Sequence, residues 1–163
     1  MQLNLLKRLT PLIPLLLVFP FLFVTQVQAV PTLTGISARN LDKPLAPIVT
    51  LTTTSPWAQL GPFNYEFTFT FAPGVGLMNN AVAPVVTLGN IAPYTAHTVS
   101  GTAINWTTPT TWVSQYNLGG VTPEGLYHFR VSAAQDGDGV PMPPDITFGF
   151  VLDTTPPNPP EEL

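Results

Sequence analysis

The sequence predicts an all-β protein, an antiparallel β-sandwich of about seven strands, and three observations carry that prediction. The stretch Phe63 to Phe71 reads Phe-Asn-Tyr-Glu-Phe-Thr-Phe-Thr-Phe, with a ring at every odd position and a polar side chain at every even one. Successive strand residues point to opposite faces, so this segment has one apolar and one wet face. Shorter alternating runs recur between Gly- and Pro-rich turns, and no segment carries a helical period. Abundant threonine and serine, with only 9% charged residues, suit strand exteriors better than helix surfaces. The aromatic strand needs company. Burying its five rings is worth roughly 7 to 15 kcal/mol, while ordering nine backbone residues costs roughly 9 to 18 kcal/mol, so partner strands and a facing sheet must supply the net stability.

The chain opens with the pattern of a secretory signal. Lys7 and Arg8 precede the uncharged apolar stretch Leu12 to Val24, and Val27-Gln28-Ala29 ends in residues suited to cleavage after Ala29. Pro11, Pro14 and Pro20 interrupt the apolar run, which argues against an uncleaved membrane anchor and for no membrane span after cleavage. Removing residues 1–29 of 163 leaves 134 residues, enough for one domain with its own core. Arg39, Lys43 and Arg130 then face nine acids, a formal charge of −6, which disfavours nucleic acid and anionic lipid as partners. With no cysteine, neither disulfides nor lipidation through a cysteine stabilise or anchor these residues. The expected location is secreted or at a cell surface.

Residues 30–46, broken by Pro31 and Pro44 with Pro47 following, read as an extended lead-in. The sandwich is expected over 47–153. Ile48 to Thr54 alternates β-branched residues and threonine as an early strand, and Ser55-Pro56-Trp57 and Gly61-Pro62 punctuate the way to the aromatic strand. Ala72-Pro73-Gly74-Val75-Gly76 is a turn. Val82 to Leu88 is a shorter strand whose Pro84 marks an edge or a start. His97 to Trp106 and Thr111 to Leu118 are two strands joined by a turn at Thr107 to Thr110. Tyr127, Phe129, Val131 and Ala133 share the inward face of the next strand, and Ile146, Phe148, Phe150 and Leu152 that of the last. Residues 154–163 form a proline-rich linker or tail, since prolines remove backbone donors and favour an extended conformation.

Two segments carry a resemblance. Val121-Thr122-Pro123-Glu124-Gly125-Leu126-Tyr127-His128-Phe129-Arg130-Val131-Ser132-Ala133 and Phe148-Gly149-Phe150-Val151-Leu152-Asp153-Thr154-Thr155-Pro156-Pro157 resemble the last two strands of bacterial immunoglobulin-like and fibronectin type III-like modules. The resemblance spans roughly Pro47 to Pro157 and is most specific in the C-terminal third; Phe67-Thr68-Phe69 fits an early strand. The loop Asp136-Gly137-Asp138-Gly139 departs from the Asp-x-Gly-Asn type usual there. The resemblance implies an immunoglobulin-like sandwich serving as an extracellular spacer or adhesive unit, often in tandem with other modules of a surface protein, and implies no catalysis. Tyr127 is then the candidate tyrosine corner, its ring buried and its hydroxyl bonded to backbone, while Phe67 and Phe69 are core.

The candidate sites each have a bland alternative. Asp136 and Asp138, with Asp145 nearby, offer oxygens to calcium, yet lack the spacing and bidentate glutamate of a calcium loop, and a solvated glycine turn is the preferred reading. Trp57, Trp106 and Trp112, with Tyr94 and Tyr116, supply flat surface for a glycan or a protein ligand, against the commoner role of tryptophan in packing; Trp106 and Trp112 flank one turn and face each other in a hairpin. His97 and His128 have no metal-ligand spacing. Ser100, Ser114 and Ser132 lack a nucleophile elbow. Glu66 and Glu124 are a poor hydrolase pair, one pointing outward from a strand and one in a corner. Asn105-Trp106-Thr107 matches a glycosylation sequon, which means little if the source is bacterial. The expectation is a structural or adhesive module without cofactor or metal, with a glycan- or protein-binding module as the alternative and a secreted enzyme far behind.

Overall fold

A computed structural model describes residues 28–90, 98–119 and 123–155. It is an all-β sandwich. Ten short strands occur among the described residues: β1 (Thr32–Asn40), β2 (Val49–Thr50), β3 (Ala58–Leu60), β4 (Asn64–Ala72), β5 (Val85–Gly89), β6 (Thr98–Val99), β7 (Gly101–Thr108), β8 (Thr111–Asn117), β9 (Gly125–Ser132) and β10 (Gly149–Leu152). One sheet has the order β2-β1-β4-β8-β7 and the other β3-β10-β9-β5-β6. Every pairing is antiparallel except β3 with β10. Among the described residues, no helix is long and apolar enough to cross a membrane.

The aromatic strand is the axis of the first sheet, paired with β1 on one side and β8 on the other. Tyr65, Phe67, Phe69 and Phe71 are all buried, and the threonines between them lie half-exposed. Phe63 is the exception: it precedes β4, stays half-buried and carries the Lys43 ammonium 4.2 Å above its ring. From the facing sheet Phe129 meets Phe67 at 4.8 Å and Phe69 at 5.2 Å, both edge-on, and Phe150 stacks on Phe67 at 6.0 Å. Edge-to-face rings at these separations add to the value of their burial. The core is therefore a cross-sheet aromatic cluster closed by Leu60, Leu88, Leu152 and Trp112.

Several boundaries differ from the sequence expectation, each for a local reason. Residues 32–40 are no lead-in: they form β1, which pairs with β4 along its whole length and buries Ile36 and Ala38, so the sandwich begins at Thr32 rather than at 47. Between Leu33 and Gly35 the register slips by one residue, and this bulge moves the inward set from an odd to an even position. In Ile48 to Thr54 only Val49–Thr50 is strand, because Thr52 leaves β1 to bridge Gly149 of the opposite sheet. The run starting at Val82 begins as strand only at Val85, directly after Pro84. The run His97 to Trp106 is two strands: β6 pairs with β5, then the chain changes sheet at Ser100 and β7 pairs with β8. Ala133 adopts φ 62°, a conformation uncommon outside glycine, which leaves Ala134 rather than Ala133 fully buried. Ile146 is 44% exposed, since β10 starts only at Gly149 and Asp145 turns the preceding backbone by accepting from the Thr147 amide and hydroxyl.

Register also fixes where the chain enters and leaves. Thr32 lies beside Ala72, at the far end of β4, whereas Leu152 lies beside Leu60, four residues before β4 begins. Entry and exit are at opposite poles. The entry pole carries the turns after β4, β7 and β9; the exit pole carries the turn Leu41–Ile48, the link Gly61–Phe63 and the corner before β9.

Candidate functional site

Most of the described acidic side chains accept from the protein's own backbone amides. Asp136 is fully buried; its Oδ2 accepts from the Val75 amide at 3.1 Å and its Oδ1 from the amides of Asp138 and Val140 at 3.2 and 3.1 Å. A carboxylate with three amide donors is a strong local brace, and here it ties the turn after β4 to the loop after β9. Asp138 is exposed and Asp145 is held by Thr147, so the three do not converge on a cation. Among the described residues no group of three or more His, Cys, Asp or Glu is placed to hold a metal.

Glu66 and Glu124, the two glutamates among the described residues, are equally committed. Glu66, on the outer face of β4, pairs with Arg39 at 2.6 Å, a surface ion pair worth about 0 to 1 kcal/mol. Glu124 Oε1 accepts from the Thr154 hydroxyl at 2.6 Å, the Thr155 hydroxyl at 2.8 Å and the Thr154 amide at 3.0 Å. Those bonds, the Thr154 hydroxyl foremost, hold its carboxyl below the usual range. Thus the corner before β9 grips the first residues of the C-terminal segment. Beside it the Tyr127 hydroxyl donates to the Pro123 carbonyl at 2.7 Å while its ring stacks on Phe150, and burial pushes its pKa up. Tyr116 is buried against Phe67 and Phe129, and desolvation, opposed by the Ser114 hydroxyl, raises its pKa to about 12. Residues 1–27 and 156–163, and with them most of the expected signal and tail, as well as Tyr94 and His97, lie outside the described residues.

The three tryptophans do not share a surface. Trp112 is 3% exposed and packs on Phe69. Trp106 lies opposite it in register, half-buried, with its ring on Phe71 and its indole N–H donating to the Val82 carbonyl at 3.0 Å. Trp57 is on the outside of the other sheet, its ring 5.1 Å from that of His128 at 80°. His128 stands opposite glycines on both neighbouring strands, Gly149 and Gly89. A Cβ on Gly149 would sit 2.7 Å from the Tyr127 carbonyl and 3.1 Å from the imidazole, so that glycine is what lets the imidazole lie flat across the sheet. Sequence spacing did not reveal this pair, whose members are 71 positions apart; the one available signal was the parity of β9, which sets His128 opposite to Tyr127.

What remains exposed and shaped is at the poles. At the exit pole a cleft of about 420 Å³ is lined by Lys43, Phe63, Asp153 and Thr155 among others, and Leu45 and Ile48 protrude from the turn beside it, 100% and 63% exposed. At the entry pole an apolar groove of about 260 Å³ runs between the start of β1 and the loop before β10. No family model, no curated protein and no solved structure matches the chain.

Proposed function

We propose that the chain is an exported, non-catalytic structural or adhesive module of immunoglobulin-like type, working at a cell surface or outside the cell as a rigid unit between neighbours. The observation that carries this reading is the position of the first and last strands: β1 enters the sandwich at one pole, β10 leaves it at the other, and the residues that follow β10 are gripped by Glu124. Units with such ends line up in a row. The immunoglobulin-like assignment draws support from strand order, since β1-β4-β8-β7 facing β10-β9-β5 follows the two-sheet Greek-key plan of those sandwiches, and from the Tyr127 to Pro123 bond in the place of a tyrosine corner. The non-catalytic reading draws support from Asp136, Asp145 and Glu124, whose carboxylates brace loops and do not converge on one site.

Two measurements test it. Expressed whole in a bacterial host, the chain is expected in the periplasm or medium with Val30 as its first residue; a cytoplasmic chain that still begins at Met1 overturns the export reading. Two copies joined in tandem through residues 153–163 are expected to scatter X-rays as an elongated pair about twice as long as one copy. A side-by-side compact pair overturns the spacer reading.

One observation favours a second reading, a glycan- or protein-binding module. Trp57 and His128 present adjoining rings on an outer sheet face beside exposed Arg130. If that face binds glycans, Trp57→Ala abolishes retention on a glycan panel with little change in melting temperature; a wild-type chain that retains no glycan removes the glycan-binding form of this reading.

A further inference from the structure

We infer that the two poles of this sandwich are complementary, and that the exit pole of one copy docks into the entry pole of a second through Leu45. The inference deepens the spacer reading by naming the partner as another copy of this chain. Leu45 stands at the tip of a tight turn in which the Ala46 amide donates to the Lys43 carbonyl at 2.9 Å, and it is 100% exposed. A leucine held wholly in water on a turn closed by a backbone bond and braced on its N-terminal side is a preformed knob. The turn is braced by Asn40 Oδ1, which accepts from the amides of Asp42 and Lys43, and by Asp42, which accepts from Asn64.

The entry groove has the matching chemistry. Its base is formed by buried Pro31, Leu33 and Met142 and its rim by exposed Pro143, Pro144 and Ile146, with about 260 Å³ of space, room for an aliphatic side chain. Charge complements shape. Lys43 flanks the knob with its ammonium over the Phe63 ring, Asp145 lines the groove with its Oδ1 taken by Thr147, and Asp42, the acid next to the knob, is engaged by Asn64. Because knob and groove sit at opposite ends, the contact is heterologous and does not close on itself, so it propagates copy to copy. A single anchor of this size makes a weak, transient interface, which is what a row of tethered modules requires, since the linker raises the effective concentration of each neighbour.

Sedimentation equilibrium of the exported chain tests this. The average mass is expected to rise with concentration without levelling at a dimer. Leu45→Asp and Ile146→Asp are each expected to remain monomeric at every concentration, with melting temperatures within a few degrees of the parent because both side chains are exposed. An equimolar mixture of the two is expected to form one-to-one pairs and nothing larger, since one variant keeps its groove and the other its knob. A parent chain that stays monomeric, a parent that levels at a dimer, a Leu45→Asp chain that associates like the parent, or a mixture that stays monomeric each overturns the inference. None of these outcomes bears on export or on the length of the tandem pair, so the two readings fail separately.

Discussion

β4 and β1 lie side by side for eight paired positions in the same sheet, yet one is obvious in the sequence and the other is concealed. β4 keeps a single register and fills every inward position with a ring. β1 spends its inward positions on Leu33, Ile36, Ala38 and Asn40, and a bulge at Thr34 shifts their parity near its start. Period-two patterning is visible only where the register is unbroken and the buried side chains are large. A strand can be central to a sheet without meeting either condition.

The comparison can be broken first at its strong side. Phe67→Ala removes a fully buried ring in contact with Phe129, Phe150 and Tyr116 and is expected to cost about 3 to 5 kcal/mol in urea denaturation, out of a total of about 5 to 15 kcal/mol. Ile36→Ala probes the concealed strand. If β1 is as much a core strand as β4, the loss is about 2 to 4 kcal/mol; a loss below about 1 kcal/mol would return residues 32–40 to the status of a lead-in.

The titration of Tyr116, on the strand that flanks β4 opposite β1, sharpens the picture further. Its folded pKa of about 12 lies above the ordinary value of about 10, so the folded state holds the proton more tightly than the unfolded chain. The stability this represents is complete below pH 10 and drains away as pH rises towards 12, a loss of about 2 to 3 kcal/mol. Tyr116→Phe is expected to flatten much of that alkaline decline in denaturation curves, leaving the smaller contributions of Tyr65 and Tyr127, whose pKa values burial also raises. An unchanged decline would contradict the burial of Tyr116. The smallest effect is reserved for the bulge itself. Gly35 has open space where a Cβ would go and no left-handed φ, so Gly35→Ala should be neutral or stabilise by up to about 1 kcal/mol, showing that the parity shift belongs to the extra residue and not to glycine.

The same physics explains what could be foreseen elsewhere. In β9, Tyr127, Phe129 and Val131 alternate without interruption, and the inward face was legible until Ala133 turned its backbone. In the last strand, alternation extended backwards from Phe148 suggested Ile146, but Asp145 had already bent the chain away from the sheet. The change of sheet at Ser100 left no mark in composition, because threonine-rich residues on both sides suit either sheet equally. Site chemistry was harder still. Asp136 reads in sequence as one acid of a solvated loop; only the fold brings the amide of Val75, 61 residues away, to meet it. Trp112 stayed a candidate for a ligand platform beside the commoner packing role because nothing in its neighbours distinguishes an inward tryptophan from an outward one, and register decided for the interior.

The placement of β1 has a mechanical corollary. Tension between Thr32 at one end and Leu152 at the other pulls β1 lengthwise along β4, so its rungs bear the load together and must slip in concert, instead of peeling one after another as they would under a perpendicular tug. Resistance to traction in such a body arises from the direction in which the first strand enters, and a chain with both ends at the same pole would forfeit it however well its interior were filled.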